Sequence, residues 1–248
     1  MTEPVLSVRG MRRRFGGVVA VRDVDLDVRD GEVHAVIGAN GSGKTTLLRM
    51  IFGEVQPDAG RVVLAGRDVS ELPVPARVRA GIGRAYQISS NFRGMSTADN
   101  VAFGVRAGVG IATALLPGAA AARHAGERTL ALLARVGLGK RADDLAEDLS
   151  HGEHRQLELA MALATGPRVL LLDEPFAGLG SAEALFVRDL IRGAGIAVLM
   201  VEHDLDAVFA IADRVTVLAR GEVVASGDPA AVRADPAARE SFGNGAAP

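Results

Sequence analysis

The sequence predicts an α/β fold: a mainly parallel sheet with helices on both faces. Three observations carry this. Short apolar runs of buried-strand length recur at Glu32–Gly38, Arg168–Glu174 and Ile196–Asp204. Segments with helical apolar spacing separate them, and strands alternating with helices imply a parallel sheet covered on both sides. The length, 248 residues, suits one large domain that buries roughly 70–75% of its unfolded surface without disulfide or metal staples.

The elements follow in order. Leu6–Gly10 and Gly16–Val28 read as β pieces, and Val24, Leu26 and Val28 alternate with charges at period two. The apolar run Glu32–Gly38 is a central strand, followed by glycines and a helix Thr45–Phe52 that ends at Gly53. Arg61–Leu64 and the turn at Gly66–Asp68 suggest a hairpin. From Ile88 to Asp148, Ala, Gly and helix formers dominate, with an amphipathic helix in Glu127–Gly137. Then come a helix Arg155–Ala164, a strand Arg168–Glu174, a helix Ser181–Gly195 and a strand Ile196–Asp204. A helix Leu205–Arg214 and a hairpin Val215–Gly227 complete the series, and Gly243–Pro248 is expected to fray.

Composition excludes several functions. There is no cysteine, so disulfide scaffolds, cysteine–zinc sites, iron–sulfur clusters and thiol nucleophiles are ruled out. Lys+Arg number 28 against 30 Asp+Glu, a net charge of −2, which gives no electrostatic footprint for nucleic acid. Eight Phe, one Tyr and no Trp argue against a stacking platform for single strands. The start, MTEPVLSVRG, has an acid and a proline where a secretory signal needs a basic and then an apolar run, so the chain is expected to be intracellular. The uncharged stretch Ala107–Ala122 is too short and too broken by Gly108, Gly110, Pro117 and Gly118 to span a membrane.

The strongest chemical signal is Gly38-Ala39-Asn40-Gly41-Ser42-Gly43-Lys44-Thr45-Thr46, which matches GxxxxGK[ST]. Glycines let successive backbone N–H groups turn inward and cradle phosphate oxygens. Lys44 adds charge against the β/γ-phosphates, the Thr45 hydroxyl can coordinate Mg²⁺, and the helix adds its positive end. At average residue usage, a chain of this length matches by accident roughly once in 100. A strand directly before the motif and a helix directly after it make a chance glycine turn the poorer reading. In Arg168–Pro175 a buried strand ends in two acids. Asp173 then stands at the sheet's carboxyl edge, where it can hold Mg²⁺ through water, and Glu174 is suited to polarise the attacking water. Two solvated acids at a strand end are the ordinary alternative. No guanine-specifying NKxD segment is present, and no GxGxxG follows a strand.

Three further elements complete an ordered set: Tyr86–Gln87 after Gly81–Ala85, the segment Asp148–Ala160 (DLSHGEHRQLELA), and His203 in VEHD. Together with the two phosphate motifs they resemble the nucleotide-binding subunit of ABC transporters over nearly the whole chain. The resemblance implies a P-loop NTPase fold of ABC ATPase type, with an N-terminal antiparallel β subdomain and an inserted helical subdomain. It implies one nucleotide-binding domain over residues 1–242. Within it, 1–87 and 165–228 form the β subdomain and catalytic core, and 88–164 the helical subdomain with the signature motif; residues 229–248 are read as a C-terminal helix and tail.

Leu149, Ser150, His151, Gly152 and Glu153 match the signature that binds the γ-phosphate of ATP held by a second subunit. Glu174 is then the general base, His203 the switch residue that orients the water, and Gln87 the lid glutamine that reaches Mg²⁺ and the water. Phe15 matches the aromatic that stacks on adenine; a core phenylalanine is the alternative. His151 and Glu153 stand where the commonest form has Gly and Gln, and Gly180 stands where the family has Asp or Asn facing the opposite subunit. His151 and His154, spaced i and i+3, have no third ligand in evidence to make them a metal pair.

Several segments resemble the ATPases of branched-chain amino acid importers, the hydrophobic amino acid uptake group: Phe15–Leu26, Leu149–Leu163, Asp173–Leu179, Val201–Val208 and Gly221–Pro236. The 62-residue distance from Gln87 to Leu149 is similar to that in the longer of the two ATPase types such importers pair. Urea and short-amide importers share the LSHG segment, and a lipopolysaccharide-export ATPase is similar around Asp173–Gly178. The implied cofactors are ATP and Mg²⁺. The implied partners are two transmembrane permease subunits, a second ATPase subunit (a second copy or a sister chain), and a periplasmic or lipid-anchored solute-binding protein. The implied location is the cytoplasmic face of a bacterial inner membrane. A soluble ABC ATPase acting on ribosomes or DNA is the other class. Such chains usually carry two cassettes, a basic linker or a coiled-coil insertion, and none of these is found here.

Overall fold

The structure is a computed structural model that describes residues 3–85, 91–108 and 119–242. The chain opens with β1 (Leu6–Phe15), β2 (Val18–Val28), β3 (Val33–Ile37), α1 (Lys44–Phe52), β4 (Ala59–Leu64), β5 (Arg67–Asp68), α2 (Val74–Ala80) and β6 (Ile82–Ala85). Three helices follow, α3 (Thr97–Gly108), α4 (Ala119–Arg135) and α5 (His151–Ala164), then β7 (Val169–Asp173), α6 (Ser181–Arg192) and β8 (Ala197–Glu202). It continues with α7 (Leu205–Phe209), β9 (Arg214–Ala219), β10 (Glu222–Gly227), α8 (Pro229–Ala234) and α9 (Pro236–Phe242). Strands hydrogen-bond in two sheets, β2-β1-β4-β5 and β10-β9-β3-β8-β7-β6. The chain divides into two compact units. One comprises Met1–Arg77, Leu171–Glu174 and Gly195–Pro248, and the other Val78–Leu170 and Pro175–Ala194.

In the first unit the antiparallel sheet pairs β1 with β2 and with β4, and buries Leu6, Val8, Met11, Val24, Leu26, Val28, Val62 and Leu64. The alternation seen at Val24, Leu26 and Val28 is this buried face. β3 lies parallel to both β8 and β9, and all five of its residues are buried, as are all six of β8. Burial on both faces is why these strands read as near-continuous apolar runs. Two polar residues break the pattern, His34 in β3 and Glu202 at the end of β8. His34 is 1% exposed, with Nδ1 2.8 Å from the Asp27 carbonyl and Nε2 2.8 Å from Thr216 Oγ1, which lies 2.8 Å from Ser226 Oγ. A carbonyl can only accept, so Nδ1 carries the proton and Nε2 of the neutral ring accepts from Thr216. Burial lowers the His34 pKa to about 4.

α1 follows Gly43 and ends at Gly53, which is left-handed at φ 92° and sends its N–H to Arg49 O and Met50 O. The buried side chain of Arg77 completes this end. Its guanidinium donates to Met50 O (2.8 Å), Ile51 O (2.7 Å), Leu72 O (2.9 Å) and Ser70 O. These are helix-terminal and loop carbonyls, and satisfying four of them is why a buried cation is tolerated there.

The second unit holds a helical core of Val101, Val105, Leu133, Val136, Leu138, Leu149, Leu157, Ala160 and Ala164. α3 comes so close to α5 that a Cβ on Gly104 would lie 2.7 Å from Ala164 Cβ. Within α5, Arg155 and Glu158 form a buried ion pair at 2.9 Å.

Some elements differ from the sequence expectation. The segment Leu205–Arg214 is helical only to Phe209, because Asp213 is claimed by β3. Its N–H donates to Val33 O and its carboxylate accepts from Val33 N–H, and Arg214 then starts β9. The amphipathic helix of Glu127–Gly137 begins earlier, at Ala119, in the alanine-rich segment. The expected C-terminal helix is two, α8 and α9, divided at Asp235 before Pro236. Gln87, most of the stretch Ala107–Ala122 and the tail Gly243–Pro248 lie outside the described residues.

Candidate active site

The loop Gly38–Gly43 joins β3 to α1, and its shape requires glycine at two places. At Gly38 (φ 152°) a Cβ would lie 2.1 Å from Leu218 O, and at Gly43 (φ 105°) it would lie 2.2 Å from Ala20 O. No side chain fits at those separations, so only glycine is accommodated at these two positions. Lys44 is the first residue of α1 and is buried. Its Nζ curls back to donate to Gly38 O (2.7 Å) and Ala39 O (3.1 Å), and so closes the loop into a ring. Burial pulls the Lys44 pKa below its ordinary value, while Glu174, Asp173 and Glu202 oppose that shift. Thr45 follows, exposed, and its hydroxyl lies 3.4 Å from Asp173 Oδ1. Thr46 is half-buried in the same turn.

Asp173 ends β7 and is 5% exposed. The next residue, Glu174, is in the left-handed region at φ 47°, with its N–H donating to Val201 O at 2.9 Å. A non-glycine residue there carries strain of about 1–3 kcal/mol, a feature that concentrates at functional positions. His203 Nδ1 stands 3.5 Å from Glu174 Oε1 and 3.8 Å from Glu202 Oε2. The His203 side chain is 54% exposed, while Glu202 is buried and accepts the His203 backbone N–H at 3.0 Å. Parallel pairing of Ile37 with Glu202 sets this acid level with the start of the phosphate loop.

One unit thus brings together Gly38–Thr46, Asp173, Glu174 and His203. Glu202 is an addition that the sequence reading missed. The only signal was an acid directly before His203 at the end of an apolar strand, and its proximity to Lys44 depends on strand order. The cluster brings three carboxyl groups close to the Lys44 ammonium. With an exposed hydroxyl beside a carboxylate, it offers the oxygen donors that a hard divalent cation takes.

Phe15 lies at the end of β1 with 46% of its surface exposed, so it is not a core residue. Gln87 lies outside the described residues.

The signature segment is in the other unit. Ser150 caps α5: its Oγ accepts from Glu153 N–H at 3.3 Å, and its own N–H donates to Glu153 Oε2 at 2.8 Å. These bonds, with Arg141 Nε 3.3 Å from Glu153 Oε1, hold the Glu153 carboxyl below its usual pKa, the Ser150 N–H being the largest cause. Leu149 is buried beneath the turn. A Cβ on Gly152 would lie 2.4 Å from Glu183 Oε1, and Glu183 also caps Gly180 N–H at 3.0 Å. A Cβ on Gly178 would lie 3.0 Å from His151 Nε2, so the small residue there makes room for the imidazole. His154 is engaged with Asn91, Nδ1 to Nδ2 at 2.9 Å.

Comparison with known proteins decides the family: the ABC transporter family model matches residues 21–177. The chain belongs to the ABC transporter family. This ABC ATPase is 36% identical over 245 residues to the high-affinity branched-chain amino acid transport ATP-binding protein LivG of Salmonella typhimurium, covering 95% of this chain and 96% of that one. It is 37% identical over 241 residues to the lipopolysaccharide export system ATP-binding protein LptB of Acidithiobacillus ferridurans, covering 96% of each. Among solved structures it is similar to an ATP-binding cassette of an ABC transporter in its ADP conformation. The TM-score is 0.83 at 26% identity, covering 97% of this chain and 99% of that one. The fold is therefore the P-loop NTPase of ABC type, and the ABC chain binds and hydrolyses ATP. Among the described residues no helix is long and apolar enough to cross a membrane.

Proposed function

We propose that this chain is the ATP-hydrolysing subunit of a bacterial ABC importer for branched-chain amino acids. It would be the longer of two ATPase types, seated on the cytoplasmic face of the inner membrane. The observation that carries the hydrolytic part is the cluster of Lys44, Thr45–Asp173, and Glu174 with His203 3.5 Å away. The likeness to LivG over 95% of the chain supports the substrate.

In this reading ATP lays its phosphates along the Gly38–Thr46 N–H groups, and Phe15 stacks on adenine. Lys44 exchanges its bonds with the Gly38 and Ala39 carbonyls for the β/γ-phosphate oxygens. Thr45 and Asp173 would hold Mg²⁺, together with Gln87, and the ion neutralises charge on the phosphates when bound. Glu174 takes the proton of the attacking water, and His203 orients that water and the γ-phosphate. The site is completed by Ser150 and the α5 N-terminus of a second ATPase subunit, whose free N–H groups and positive helix end suit an anion. Glu153 is engaged through both its N–H and its carboxylate in the capping bonds with Ser150 and through its carboxylate with Arg141, so it serves to hold this helix end in shape.

The expected division into residues 1–87 with 165–228 (catalytic core and β subdomain) and 88–164 (helical subdomain) differs from the two compact units, in which Val78–Leu170 and Pro175–Ala194 go together. In the helical subdomain Phe92 and Phe103 are half-exposed with ring centroids 5.3 Å apart, an apolar surface suited to a permease loop. Closure of two subunits on two ATP would pull the permeases toward their outward-facing state, and hydrolysis would reopen them.

The test is a tagged pull-down from detergent-solubilised host membranes with mass spectrometry. Two distinct permeases, a shorter ATPase and an amino-acid-binding protein are expected. Lipopolysaccharide-export components or a urea-binding protein would replace the substrate reading. Recovery only with ribosomes would overturn the transport reading.

A further inference from the structure

Arg13 and Asp58 surround Phe15 in a way that adenine stacking alone does not require. Arg13 and Phe15 lie two apart on β1, and the Arg13 guanidinium carbon sits 4.7 Å from the Phe15 ring centroid. Asp58 fixes that guanidinium with an ion pair at 2.9 Å from Nη1 to Oδ1. Asp58 is itself fastened to β1. Its second carboxylate oxygen accepts the Arg14 N–H at 2.7 Å, and its own N–H donates to Arg12 O at 2.8 Å. Arg14 Nε in turn donates to Gly16 O at 2.9 Å, which ties down the turn after the ring. An exposed phenylalanine would otherwise rotate freely about its side-chain bonds. Here one face of the ring is covered by a cation that is held by Asp58, and Asp58 is tied to the same strand by two hydrogen bonds.

We propose that Arg13, held by Asp58, is a positioning residue for base recognition: it covers one face of Phe15 and leaves the opposite face as the single platform for the purine of ATP. The proposal rests on the reading that Phe15 stacks on adenine. A cation over one face draws ring electron density toward itself and sets the ring's angle, and both effects act on a base stacked on the other face. Arg13 therefore acts through the ring and not on the phosphates.

Isothermal titration of the full chain with ATP, and separately with inorganic tripolyphosphate, tests this. Phe15→Ala is expected to weaken ATP roughly 5- to 150-fold, the size of a lost base–aromatic stack. Arg13→Met is expected to weaken ATP about 2- to 5-fold, the size of an exposed cation–π contact. Arg13→Lys should restore most of that loss. In the Phe15→Ala background Arg13→Met should have no further effect, and none of the variants should change tripolyphosphate affinity. Unchanged ATP affinity in Phe15→Ala would remove the stacking reading, and this proposal with it. If Phe15→Ala weakens ATP but Arg13→Met does not, or weakens ATP equally with Phe15 absent, the stacking reading stands and the proposal alone falls. A matching loss of tripolyphosphate affinity would show that Arg13 acts on the fold of the loop region, and would likewise overturn the proposal.

Discussion

Acidification should unfold this protein partly through His34, and the size of the effect follows from its site. The imidazole is sealed under β3 between the Asp27 carbonyl and the Thr216 hydroxyl, and its pKa is lowered from 6.5 to about 4. Burial is the largest cause and the nearby charges of Arg214 and Arg29 add to it, while the Asp27 hydrogen bond and carboxylate oppose it. In the unfolded chain His34 takes up a proton as pH falls through about 6.5; in the folded chain it refuses one until about pH 4. The unfolded state therefore binds more protons between those values, so stability rises with pH across that window and is flat above it. A difference of about 2.5 pKa units at 1.36 kcal/mol each makes the loss about 3 kcal/mol by pH 4. The chain has no tryptophan, so urea unfolding followed by far-ultraviolet circular dichroism at pH 7.5, 6.5, 5.5 and 4.5 is the assay, on the native chain and on His34→Gln. Carboxylates titrate in both proteins, so the difference between the two slopes isolates His34. The native chain should lose about 2.5 kcal/mol more than the variant between pH 7.5 and pH 4.5. Parallel curves, or a variant that is the more acid-sensitive, would refute the reasoning.

Three further outcomes follow from local geometry. Arg77→Met should cost about 3–5 kcal/mol in urea unfolding, because four carbonyls, three of them in buried bonds, lose their charged donor, and Arg77→Lys should recover little of it since one ammonium cannot span them. Gly43→Ala should raise the ATP dissociation constant roughly tenfold or more by titration calorimetry. Its Cβ would meet Ala20 O at 2.2 Å, and alanine is strained at φ 105°. Gly104→Leu should destabilise the helical unit by about 1–3 kcal/mol in the same unfolding assay, by forcing α3 away from Ala164.

What could be read in advance was what is local in sequence. The Gly38–Thr46 pattern encodes its own backbone shape, and the runs ending at Asp173 and His203 announce buried strands with polar tips. What could not be read depends on which strands become neighbours. Glu202 reaches the phosphate loop only because β8 pairs with β3, about 160 residues earlier in the chain. Nothing local to Arg77 marks it for burial; only the folded chain places it against the end of α1. The helix expected through Arg214 stops at Phe209 for the same kind of reason: Asp213 bonds to Val33, a partner that helical periodicity does not reveal. The left-handed backbone at Glu174 is likewise a tertiary product, fixed by its bond to Val201.

The central claim is that Glu174 is the base of a hydrolytic site built on Lys44, Asp173 and His203. It is tested most directly by measuring steady-state ATP turnover and ATP affinity together for the native chain and Glu174→Gln. The glutamine keeps the shape and the strained backbone but cannot accept the proton. The account predicts a fall in turnover of roughly 10²–10⁴-fold with ATP affinity retained. Turnover close to native in Glu174→Gln, with ATP bound as before, would contradict it.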